Sequence, residues 1–144
     1  HTERILVPLS CMDDYLTVQP VVEALGAIEQ HQITLQLLMP TECHPPELRK
    51  AEEELNGWPQ VSAMPGDVHC RAVAAESRVH DILDAAEEHD IIVMASSGTR
   101  GLRRAFFGSL AEDVALQTTK TMLMVAGGVE SRSIEEATSA MRDV

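Results

Sequence analysis

The chain has 144 residues, with 23 acidic side chains against 11 basic ones and a formal net charge of −12. That balance disfavours a general nucleic-acid or anionic-membrane surface, and no apolar run reaches the ~18–20 residues of a membrane span. With 44% apolar residues but only Tyr15, Trp58, Phe106 and Phe107 as aromatics, the composition calls for one folded domain around an aliphatic core.

The elements follow in chain order from the period of the apolar pattern. Arg4-Ile5-Leu6-Val7-Pro8-Leu9 is an aliphatic run of buried-strand type. From about Leu16, Val18, Val21, Val22, Leu25 and Ile28 recur at helical spacing, with Pro20 acceptable in the first turn of that helix. Ile33–Met39 is a second strand, ended by Pro40. Pro45-Pro46-Glu47 opens a helix through Leu48, Ala51 and Leu55, stopped by Asn56-Gly57. Residues 58–67 contain two prolines and a glycine and read as a loop. Val68–Val73 is a third strand, and Ser77 caps a helix with Val79, Ile82, Leu83 and Ala86 on one face. Ile91-Ile92-Val93-Met94 is a fourth strand, apolar throughout and so buried on both sides.

A polar, glycine-bearing loop, 96–108, leads to the capping box Ser109-Leu110-Ala111-Glu112 and a helix to about Thr118. Thr121-Met122-Leu123-Met124-Val125 is the fifth strand. Five strands alternating with four helices define an α/β domain, residues 1–128, whose open parallel sheet is covered by helices on both faces. A polar tail, 129–144, carries a weaker capping box from Ser133 to Glu136. It is either a short packed helix or a frayed extension.

Cys11, Cys43 and Cys70 cannot form a fully paired framework, which favours a reducing compartment such as the cytoplasm. Cys43-His44, His69-Cys70 and His80 fit none of the usual zinc spacings, and Cys70 alternates with Val68 and Ala72 as an inward strand residue does. His80 and His89 read as solvated or capping groups. Glu52-Glu53-Glu54 and Glu87-Glu88 read as solvated helix faces. No histidine is placed to activate Ser10, Ser96, Ser97 or Ser109, so no enzyme activity is expected.

In an open parallel sheet, ligands bind beyond the carboxyl ends of the strands, where strand order reverses. The loop after the fourth strand has the composition for an anion. Gly98, Gly101 and Gly108 permit close backbone approach, and Arg100, Arg103 and Arg104 concentrate positive charge in an acidic chain. Ser109 opens a helix whose N-terminus offers unpaired N–H groups. Phosphate suits such a loop best. The alternative, Ser109 as a simple cap with arginines paired to carboxylates, stays open, since there is neither a Walker A sequence nor a G-x-G-x-x-G after the first strand.

The run Asp90–Gly98, then Gly101-Leu102 and Gly108-Ser109-Leu110-Ala111-Glu112-Asp113-Val114, resembles the universal stress protein family, as do Arg4–Pro8 and Thr121–Val125. The resemblance implies a Rossmann-like, five-stranded sheet of order 3-2-1-4-5, and a homodimer through the last strand, Thr121, Met122, Leu123, Met124 and Val125. It also implies an ATP motif of Gly, two residues, Gly, nine residues, Gly, then Ser or Thr. Here Gly98 and Gly108-Ser109 fit that motif, while its first Gly is Ala95 and the acidic residue expected after the first strand is Ser10.

By analogy the site for ATP or another adenine nucleotide comprises Pro8, Leu9, Ser10, Leu38, Met94, Ala95, Ser97, Gly98, Arg100, Gly108, Ser109 and Leu110. Leu38 and Met94 would lie near the adenine, and any Mg²⁺ would arrive with the phosphates. The implied role is a dimeric nucleotide sensor in stress response; the alternative is a docking module of the same fold with an empty pocket. A start at His1 and the polar end beyond Gly127-Gly128 suggest a domain cut from a larger protein, such as a transporter or a tandem of similar domains. Loss of the initiator Met is the simpler alternative.

Overall fold

A run of aliphatic side chains with no polar alternate positions has one stable home, the middle of a sheet. The computed structural model, which describes residues 2–28, 30–96 and 109–126, places it there. β1 (Glu3–Leu9) lies between β2 (His31–Met39) and β4 (Ile91–Ser96), with Ile5, Leu6 and Val7 fully buried. β3 (Asp67–Ala74) and β5 (Thr121–Ala126) are the two edges, so the parallel sheet has the order β3-β2-β1-β4-β5, the order the family resemblance implied.

α1 (Met12–Gly26), α2 (Pro45–Gly57) and the one-turn α3 (Pro59–Ser62) cover one face, where Ile5, Val7, Leu9, Ile33, Leu35 and Val93 meet Tyr15, Val18, Val22 and Leu55. α4 (Arg78–Ala86) and α5 (Ser109–Gln117) cover the other, over Leu6, Leu38, Ile92 and Met94. Ser77 caps α4 by accepting the His80 N–H at 3.3 Å. Pro45 and Pro46 open α2 together with a Glu47 carboxylate that accepts the His44 N–H.

Three expectations need correction. α1 starts at Met12, so Pro20 sits in its interior; both Pro20 and Leu16, whose carbonyl loses its bond, are exposed, and water can take that acceptor. Ile28 lies beyond the end of α1 and is 52% exposed. Residues 58–67 are not all loop, because α3 forms there with Val61 buried. Helices lie on both faces, as expected; on the α4 side β2 and β3 carry Gln32, Thr34 and Gln36 beside Asp67, His69 and Arg71.

The capping box at Ser133 and the whole tail 129–144 lie outside the described residues, as does the residue preceding Ser109. No helix among the described residues is long and apolar enough to cross a membrane.

Candidate functional site

The sheet opens at one place for a local reason. The Arg4 N–H donates to Asp90 Oδ2 and its carbonyl accepts the Asp90 N–H, so the backbone groups of Arg4 face β4. Backbone direction alternates along a strand, so Leu6 and Pro8 face the same way. Pro8 has no N–H to give, and the β1–β4 ladder stops at Leu6↔Ile92. Beyond that pair a cleft of about 320 Å³ opens at the carboxyl ends of the strands.

Its apolar side is Pro8, Leu38 and Met94 with Ala95 and Ala111; Leu38 and Met94 are only 2% and 3% exposed. Its polar side gathers the starts of three helices: Cys11 and Asp14 at α1, Arg78 at α4, and Ser109 and Leu110 at α5. Asp14 Oδ2 accepts the Ser10 N–H at 2.8 Å, fixing the turn out of β1, and Arg78 Nη1 lies 3.5 Å from Ser10 Oγ. The first-turn amides of α5 have no intrahelical acceptors and point with the positive end of the helix dipole.

Of the residues expected here, Pro8, Ser10, Leu38, Met94, Ala95, Ser109 and Leu110 line the cleft. Leu9 does not; its side chain is buried in the opposite core, under α1. Ser97, Gly98, Arg100 and Gly108 lie outside the described residues, together with Gly101, Arg103 and Arg104. Sequence reasoning missed Cys11, Asp14 and Arg78. A signal existed: in a parallel sheet every helix that follows a strand starts at this same end.

Elsewhere, His89 is not a solvated helix residue. It follows α4, is 5% exposed, and bonds the Ala85 carbonyl and the Thr34 hydroxyl. His80 is exposed beside Asp84. Glu52 leaves its run of glutamates to accept the Ala72 N–H at 2.8 Å. Cys70 packs against the α1-side core, and burial, with Glu52 adding to it, pushes its thiol up to about 11, which suits neither a metal ligand nor a nucleophile. Among the described residues no three His, Cys, Asp or Glu side chains gather as metal ligands.

The cleft can therefore hold a flat apolar group against Leu38 and Met94 and an anion against the α5 start. The family model of universal stress proteins matches residues 19–126. No curated protein sequence matches the chain. Among solved structures, a universal stress protein from Archaeoglobus fulgidus is 18% identical, with a TM-score of 0.65 over 87% of this chain and 98% of its own. One from the same organism in complex with dAMP is 16% identical, with a TM-score of 0.64 over 87% and 98%. A universal stress protein in complex with cAMP is 17% identical, with a TM-score of 0.61 over 88% and 98%.

Proposed function

The chain belongs to the universal stress protein family, and from that premise we propose that it binds an adenine nucleotide, ATP first among them, in the β1–β4 cleft and serves as a dimeric regulatory domain. The observation that carries this reading is the pairing, in one cleft, of the apolar Leu38–Met94 wall with the N-terminus of α5. Adenine takes the first and phosphate the second. The dAMP and cAMP complexes of two proteins of the same fold support it.

Binding rather than turnover is the role. The described lining has no imidazole, and its one carboxylate, Asp14, is engaged with the Ser10 N–H. With no other carboxylate on the described lining, a Mg²⁺ ion would come bound to the phosphates rather than sit in a cage of this chain. We place the domain in the cytoplasm, alone or attached to a transporter or a second similar domain.

The docking-module reading draws on one observation: Ser10 stands where the family resemblance expects an acidic residue, and Arg78 Nη1 donates to its hydroxyl at 3.5 Å. Calorimetric titration of ATP, dAMP and cAMP into the protein and into Gly108→Val/Ser109→Ala separates the two. The nucleotide reading expects wild-type binding and a loss of at least about tenfold in the double variant, because backbone approach is blocked and a hydroxyl donor deleted. No wild-type binding at millimolar nucleotide, or unchanged affinity in the variant, would leave the docking module.

A further inference from the structure

A parallel sheet normally has both faces covered. Here no helix among the described residues lies over the α4 side of the amino-terminal halves of β2 and β3, and the strand residues on that side are hydrophilic at three alternate register pairs: Gln32↔Asp67, Thr34↔His69 and Gln36↔Arg71. Gln32, Thr34, His69 and Arg71 floor a second cleft, of about 460 Å³, bordered by Arg4 of β1 and by Glu88 and His89 after α4. It opens towards the amino ends of the strands, away from the β1–β4 cleft. Every described side chain that lines it is polar, so among the described residues an adenine-sized apolar group has no wall to rest on.

The cleft is held in shape by buried hydrogen bonds. Gln36, 2% exposed, accepts the Arg71 Nε–H through Oε1 at 2.7 Å and so fixes the plane of the guanidinium. Among the described residues the two terminal nitrogens of Arg71 have no protein acceptor, which leaves a pre-oriented fork of donors. His89 Nδ1 is 2.6 Å from the Ala85 carbonyl and must carry the proton there, so Nε2 accepts from the Thr34 hydroxyl at 3.1 Å. Both Arg71 and Arg4 are near enough to His89 to oppose its protonation, and a dianion placed between them would relieve that repulsion. At the outer end Gln32 and Asp67 hold His69. Glu88 on the rim restricts the negative charge the cleft accepts.

From this arrangement we infer that the uncovered face of β2 and β3 is a second ligand site, which takes a small hydroxylated monophosphate with its phosphoryl oxygens on the Arg71 fork. The inference is independent of the nucleotide reading. The Arg71 fork gives a planar, two-point contact with a phosphate, and Arg4, whose Nε is 3.7 Å from Asp90 Oδ2, adds positive charge beside it. Gln32 and Thr34 offer hydroxyl-compatible partners beside it.

The test is a titration of the whole chain with inorganic phosphate and with glycerol 3-phosphate, at ionic strength held constant with sodium chloride. Arg71 Nε–H and the Gln36 side-chain amide are followed by NMR. Saturating shifts are expected, with dissociation constants of order 1 mM and glycerol 3-phosphate the tighter of the two. Arg71→Lys, which keeps the charge and loses the fork, should weaken both about tenfold or more while the remaining spectrum stays folded. Ser109→Ala, at the other cleft, should leave them unchanged. Shifts that never saturate, equal affinity in Arg71→Lys, exclusion of glycerol 3-phosphate, or loss in Ser109→Ala would each overturn the inference. Should Arg71→Lys fail to fold, Gln36→Glu, which ties the guanidinium to a carboxylate, serves the same purpose and should weaken binding.

Discussion

His89 is a histidine kept neutral by its surroundings. Burial lowers its pKa; the Ala85 carbonyl and Glu88 pull the other way, and Arg71 and Arg4 add to the lowering. The unfolded chain, with a histidine pKa of about 6.5, therefore takes up this proton first as pH falls. The stabilisation from neutral His89 is complete above about pH 6.5 and is lost as the pH drops towards the folded pKa, below which the slope vanishes. Urea unfolding between about pH 8 and pH 5 should show this slope in the wild type and a shallower one in His89→Gln. Parallel pH profiles would show that the ring titrates alike in both states.

Gly66 is fixed by geometry of another kind. Its φ is +91°, and a Cβ there would lie 2.4 Å from the Gly26 carbonyl oxygen at the end of α1. Gly66→Ala should cost about 2 kcal/mol or more, since strain and overlap add. Gly57, with nothing within 4 Å of its would-be Cβ, is the control, and Gly57→Ala should be neutral or slightly stabilising in thermal unfolding.

At the scale of elements, α3 shows why part of the fold was hidden in the sequence. Pro59 and Pro65 read as loop signals, yet Pro59 is also a good first residue of a helix. What decides between them is a partner 45 residues away: Tyr15, fully buried, donates its hydroxyl to the Gln60 carbonyl at 2.8 Å, and its ring meets Trp58 at 6.2 Å. Burial first, then Glu23, pushes the Tyr15 hydroxyl up to about 12, so it stays a donor. Tyr15→Phe should cost about 1–2 kcal/mol and raise hydrogen exchange across α3 more than across α2. Equal exchange in both helices would mean that α3 folds without this bond.

β1, β4 and β5 were legible as short aliphatic runs, β2 and β3 by alternation of apolar with polar residues, and the helices by caps such as Ser77. The splaying of β1 from β4 was not: Pro8 was visible, but which way its missing N–H faced depends on the pairing of Arg4 with Asp90. For the same reason Asp14 and Arg78 stayed hidden. Each looks like an ordinary first-turn residue until the parallel order brings α1, α4 and α5 to one end.

For the molecule as a whole, the two sheet edges differ in a way that bears on assembly. The β3 edge is guarded: Glu52 takes the Ala72 N–H, and Asp67 and Arg71 place charge along the strand. Among the described residues no side chain caps the outer backbone of β5. Its Met122 and Met124 pack inward against the α5-side core, while Leu123 is 40% exposed on the α1 side. An open apolar edge of this kind pairs with another strand unless something prevents it. Two copies related by a two-fold axis would join β5 to β5 antiparallel, extending the sheet and bringing the two Leu123 side chains together near the axis. The proposed dimer therefore has Leu123, not Met124, as its diagnostic residue, because Met124→Lys would also breach the core. Leu123→Lys should leave the monomer folded and shift light-scattering mass from dimer to monomer at tens of micromolar protein. At a net charge of −12 per chain, association should also strengthen as salt is raised. A wild-type monomer under these conditions, or a Leu123→Lys dimer of undiminished affinity, would move the partner surface away from β5.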